Sequence, residues 1–205
     1  MKNSFIKIFR VSALAVLTLT GCFHNTNRLS VSSSSPSSAA TKEYEITQFF
    51  GDDDDIDAYI QNMKNDDYCE AITASDNHKH IVVTATEEQR KKWISKAESV
   101  IKDTIQGIEP ENHYQIACEN DDTKMVISAT KDWNTQQLAL DMSLVLYNME
   151  IVQIFSGVQS WNVDFIVQDM SDQKIMYEVQ YPQKEIDFGD TLWETADNLY
   201  DAVLV

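Results

Sequence analysis

A pattern that recurs within the chain restricts its fold more than any single residue does. Residues 72–86 (Ile-Thr-Ala-Ser-Asp-Asn-His-Lys-His-Ile-Val-Val-Thr-Ala-Thr) align without gaps on residues 116–130 (Ile-Ala-Cys-Glu-Asn-Asp-Asp-Thr-Lys-Met-Val-Ile-Ser-Ala-Thr), an offset of 44. A third copy, residues 166–180, follows 50 positions later. Identities are few (Ile72/Ile116/Ile166, Val82/Val126, Ala85/Ala129, Thr86/Thr130), so the order of apolar and polar positions carries the alignment. Each copy reads as a strand, a polar tip and a second strand. In the second strands Ile81, Val83 and Ala85, then Met125, Ile127 and Ala129, then Ile175, Tyr177 and Val179 share one face. Val82, Thr84, Val126, Ser128, Glu178 and Gln180 share the other, so one face is buried and one wetter.

A helix follows each hairpin. Thr86 and Gln89 have the spacing of a capping box, Ile94, Ala97, Ile101 and Ile105 recur at helical spacing, and Gly107 with Pro110 ends the run. In the second copy Thr130, Asp132 or Asn134 caps a stripe of Leu138, Met142, Val145, Met149 and Val152 that ends at Gly157. In the third, a helix from Asp190 or Thr191 buries Leu192, Ala196, Leu199 and Val203. Residues 52–55 open a short N-terminal helix with Ile56, Tyr59, Ile60 and Met63 on one side, and residues 44–50 read as a further strand. The expected fold is α+β, a two-layer sandwich of three ββα units (about 68–108, 113–158 and 163–205). One largely antiparallel sheet carries helices on its Ile/Val face and leaves the other face open. A right-handed strand–helix–strand link makes residues 82–86 and 114–118 parallel neighbours.

The amino terminus carries a different signal. Lys2, Lys7 and Arg10 precede an apolar run at 11–19, followed by Leu19-Thr20-Gly21-Cys22. Nine apolar residues are too few for a helix that needs roughly 20 to cross a bilayer, which identifies a secretion signal. The last four residues resemble the lipobox of bacterial lipoproteins. That resemblance implies cleavage before Cys22, a diacylglyceryl group on its sulfur and, in many bacteria, acylation of its new amino group. The lipids then anchor the protein, two or three chains holding durably where one holds marginally. Residues 22–43, rich in Ser, read as a flexible tether with a reach on the order of 25 Å. Residues 44–205 form a single soluble domain, and no further apolar run approaches membrane length.

Charge excludes partners. The chain holds 16 basic and 33 acidic residues; residues 1–21 carry three of the basic and none of the acidic, so a chain beginning at Cys22 holds 13 against 33, a net of −20. Such a domain does not bind nucleic acid, which needs basic patches, and is repelled by anionic head groups.

The chemical candidates are few. Cys69 and Cys118 either pair in an oxidising compartment or remain separate thiols. His78 and His80, spaced i, i+2 beside Asp76, present two imidazoles without an evident third ligand, a weak metal candidate. The run Asp52 to Asp57 fails as an EF-hand loop, because Ala58 stands where Gly and Lys64 where Glu is required, and suits a helix start. Ser99 and Lys102 form Ser-x-x-Lys on a solvated helix face. Trp93, Trp133, Trp161 and Trp193 lie near helix starts or strand entries, where an amphipathic ring seals the core edge or, alternatively, stacks on a ligand. No nucleophile elbow, His-Glu-x-x-His or glycine-rich phosphate loop occurs, and no cofactor is implied. The expectation is a surface-exposed lipoprotein held by lipid on Cys22 to the cell membrane, or to an outer membrane in a two-membrane bacterium. Its domain would engage an envelope or protein partner without being an enzyme. The alternative is an envelope hydrolase or metal-dependent enzyme using His78, His80 and nearby carboxylates.

Overall fold

Alternating strands joined by polar tips give hairpins, and the threonine or asparagine after each gives a helix start. The structure, a computed structural model, describes residues 40–47, 53–75, 80–189 and 192, and the backbone of residues 5–7. Its elements run β1 Phe5–Lys7, β2 Thr41–Ile46, α1 Asp53–Asn65, β3 Ala71–Ala74, β4 Ile81–Thr86 and α2 Glu87–Gln106. A 3-10 turn, Pro110–Asn112, then leads to β5 Tyr114–Glu119, β6 Lys124–Ala129, α3 Thr135–Phe155, β7 Val163–Asp169, β8 Ile175–Tyr181 and β9 Asp187–Gly189. The fold is α+β: among the described residues, three α-helices accompany two mostly antiparallel sheets. β1 pairs separately with β9.

The strands divide as β2-β4-β3 and β5-β6-β7-β8, which corrects the expectation of one sheet. The reason is β2. It takes the second edge of β4 in six pairs, from Thr41↔Thr86 to Ile46↔Ile81, so residues 114–118 cannot lie beside residues 82–86. The parallel pairing instead joins β6 to β7 across α3. β2 also begins at Thr41, three residues inside the stretch read as a tether.

The first two hairpins share a register. Ile72 pairs with Val83 and Ile116 with Ile127, the same positions 44 residues apart. The third departs by one: Val167, not Ile166, pairs with Tyr177. A one-residue slip turns every side chain over, so Ile166 faces away from the side that Ile72 and Ile116 occupy. A bulge between Val167 and Gln168 then sets Ile175 opposite Gln168. Ile175 is 53 % exposed and does not share the face of Tyr177 and Val179.

Both helix caps form. The Thr86 hydroxyl accepts the Gln89 N–H at 3.3 Å while the Gln89 side chain accepts the Thr86 N–H at 2.9 Å. The Asn134 side chain accepts the Gln137 N–H at 3.2 Å. These bonds satisfy N–H groups that have no intrahelical partner.

Helix α3 has the length and hydropathy of a membrane span, contrary to the expectation that no such run follows the amino terminus, and 72 % of its apolar window is buried within the fold. Its polar side chains are matched. Ser143 donates to the Ala139 carbonyl, Asn148 to the Leu144 carbonyl, and Gln153 to the carbonyls of Asp122 and Asn162. Tyr114 donates to Asp141 at 2.5 Å. Satisfied polar groups and surrounding apolar surface make it the core helix of a folded domain. Phe155, at its end, is stacked between Tyr44 of β2 (4.4 Å between ring centres) and Trp93 of α2 (4.9 Å). The helix expected after Asp190 lies outside the described residues except for Leu192, which is buried.

Candidate functional site

Several sequence candidates resolve into ordinary structure. The Ser99 hydroxyl donates to Asp103 at 3.2 Å, and both Ser99 and Lys102 are solvent-exposed on α2. Trp93 donates to the Tyr68 carbonyl and Trp161 to the Thr47 hydroxyl; both rings are buried, as is Trp133, so the three serve the core. Asp57 is exposed on α1. Cys22, His78 and Trp193 lie outside the described residues.

His80, just before β4, places Nδ1 2.8 Å from Oε1 of Glu45 on β2, an exposed pair. Among the described residues no three His, Cys, Asp or Glu side chains converge as metal ligands.

Cys69 and Cys118 are free thiols. Cys69 precedes β3 in the first sheet, and Cys118 belongs to β5 in the second. The Cys118 thiol donates to the Met149 sulfur at 3.8 Å. Burial, and after it the Asp122 charge, pushes that thiol up to about 12. It therefore carries almost no thiolate at neutral pH and is a poor nucleophile.

Sequence reasoning missed a buried carboxylate. Glu150 of α3 has no exposed surface. Its Oε1 accepts the Thr47 N–H at 2.6 Å and the Thr47 hydroxyl at 2.7 Å, and that hydroxyl accepts the Trp161 indole N–H at 3.1 Å. Nearby, the Tyr147 hydroxyl donates to that of Tyr59 at 3.0 Å. Burial first, with the Glu150 charge adding, raises Tyr147 and Tyr181, the latter to about 12. The network fastens the end of β2 to the middle of the core. Its one sequence signal was a charged residue in the second half of a helix rich in apolar residues.

Two surfaces among the described residues are open to partners. The outer face of the four-stranded sheet carries three cross-strand rows: Glu119-Lys124-Asp164-Gln180, Ala117-Val126-Ile166-Glu178 and Gln115-Ser128-Gln168-Ile175. Lys124 pairs with Glu119 at 2.8 Å, Gln180 donates to Asp164 at 3.3 Å, and Gln168 donates to Ser128 at 2.9 Å. The polar rows are thus internally bonded around a small apolar middle.

The second surface is a groove of about 430 Å³ between α2 and β5. Ile101 and Ile105 form one wall, Ile116, Ala117 and Cys118 the other, with Glu98, Lys102 and Asp122 on its rim. Burial, then repulsion from Glu98 and Asp121, raises the Asp122 carboxyl. β5 is the end strand of its sheet, so the groove opens on a strand edge that pairs with no other strand among the described residues. No protein-family model, no curated protein and no solved structure matches the chain.

Proposed function

We propose that the chain is a membrane-anchored bacterial lipoprotein that displays an acidic interaction domain outside the cytoplasm. The observation that carries this reading is Leu19-Thr20-Gly21-Cys22 placed directly after a basic start and a nine-residue apolar run. Cleavage before Cys22 would remove β1, and with it the pairing to β9. Two or more acyl chains on Cys22 would then be the membrane attachment. The net charge of −20 after cleavage repels the domain from anionic lipid and from nucleic acid, which leaves protein or other envelope components as partners. No catalytic role is assigned to the domain, and no cofactor is proposed.

The finer reading of the domain as three ββα units, preceded by a short helix opened at residues 52–55, belongs to the same proposal. The matching registers of the first two hairpins support it.

Membrane fractionation tests the anchor. Wild-type chain should sediment with membranes and be released by detergent, whereas Cys22→Ala should leave the membrane fraction. Equal membrane retention of the two forms would reject lipid on Cys22 as the attachment.

A further inference from the structure

We propose that the groove between α2 and β5 takes an extended, basic segment of a partner protein, which adds to the four-stranded sheet as a fifth strand. This deepens the reading of the domain as an interaction module by naming its site and the chemistry of its partner.

Backbone register supplies the first argument. The Thr130 N–H bonds to the His113 carbonyl at 3.0 Å, one step before the pair Tyr114↔Ala129. Directly opposed residues of an antiparallel pair alternate between bonded and non-bonded. Gln115, Ala117 and Glu119 therefore use their N–H and carbonyl groups on β6, while Tyr114, Ile116 and Cys118 turn theirs to the open edge. No described strand lies beyond that edge. Ile116 and Cys118, two successive edge-facing residues, also line the groove.

The wall opposite is suited to a strand. Glu98, Ile101, Lys102 and Ile105 fall at i, i+3, i+4 and i+7, a single stripe of α2 facing β5. An added strand would alternate its side chains, one set against Ile101 and Ile105, the other over exposed Ala117 on the outer face.

Other edges are blunted where this one is not. β3 has four residues; β8 holds the extra residue of a bulge, Met176, and runs into Pro182; β2 exposes Lys42, Glu43 and Glu45. Short strands, bulges, prolines and charges are the usual guards against edge pairing. β5 has six regular residues and exposes Gln115, Ala117 and Glu119.

Charge selects the occupant. Asp122 and Glu98 stand on the rim with Asp121 close by, Lys102 is the opposing cation, and Glu119 is already paired with Lys124. The excess is negative locally, and the whole chain carries −17. A cationic segment is drawn in and an acidic one rejected.

The test uses full-length chain in detergent micelles and a displayed library of nine-residue peptides in which Lys or Arg alternates with randomised apolar positions. Enriched peptides should bind saturably and shift the amide resonances of residues 114–118 and of Ile101 and Ile105. Replacing peptide N–H groups by N-methyl should weaken binding about tenfold or more, since each ladder bond lost is worth on the order of a factor of ten. Glu98→Lys, an exposed change that leaves the fold intact, should weaken it severalfold. A library without binders, or binders indifferent to both N-methylation and Glu98→Lys, overturns the proposal. Lipid on Cys22, measured in the same preparation, separates that failure from failure of the anchored reading.

Discussion

Helices α2 and α3 both follow a hairpin and both begin at a side-chain cap, yet they occupy opposite surroundings. On α2 only Gln89, Trp93, Ala97 and Ile101 are buried, and the rest of its circumference meets water. On α3 burial runs around the helix, from Leu138, Met142, Val145 and Met149 to Leu146, Ile151 and Phe155. The caps and periods are alike; what differs is the number of neighbours that cover each helix. α3 touches α2, is joined to β2 through Glu150 and Phe155, and contacts β5 through Met149 and Asp141. Capping therefore dictates where a helix starts, and the count of surrounding elements decides how much of it must be apolar.

Mutations at the shared seam should show the largest effects. Phe155→Ala removes the ring between Tyr44 and Trp93 and should cost about 3–5 kcal/mol in urea unfolding. Glu150→Ala leaves the Thr47 N–H and hydroxyl without their acceptor in a buried site, and should cost about 2–3 kcal/mol, with Glu150→Gln retaining part of it. Similar losses from Ile94→Ala on α2 would break the contrast between the helices, because that residue is only partly buried.

Alkaline titration probes the core from another side. Cys118 is raised from 9.0 to about 12 by burial, and Tyr181 from 10.0 to about 12 by burial and by Glu150. A raised folded value means that the fold binds the proton more tightly than the unfolded chain does. The stabilisation is complete below about pH 9 and is lost as pH rises through about 12. The urea midpoint should fall across that window, and Cys118→Ala should shallow the fall.

Smaller effects belong to α2. Thr86→Ala breaks a reciprocal cap and should cost about 1 kcal/mol. Ser99→Ala, on the exposed face, should change stability by less than about 0.5 kcal/mol. A large loss there would mean that the Ser-x-x-Lys face is covered in the intact protein.

Local features were legible and non-local ones were not. The buried faces of β4 and β6 (Ile81, Val83, Ala85; Met125, Ile127, Ala129) and the Thr86 cap follow from spacing alone, whereas spacing left Thr130, Asp132 and Asn134 open as the cap of α3 and the fold selects Asn134. The split into two sheets depends on β2 taking the edge of β4, a contact between residues about 40 positions apart that no periodicity encodes. The third hairpin misled because its bulge inserts one residue, and a residue inserted into a period of two reverses the face. The groove was hidden for a related reason. Ile101 and Ile105 read as a core stripe, and only knowing that β5 ends its sheet reveals that they also border an open edge. Glu150 was passed over because its partner, Thr47, is 103 residues away.

The intact mass of the mature chain is the most direct test of lipid on Cys22. It should show a polypeptide that begins at Cys22, heavier than residues 22–205 by at least a diacylglyceryl group, with the excess absent from Cys22→Ala. An unmodified chain, or one that begins at another residue, would contradict it.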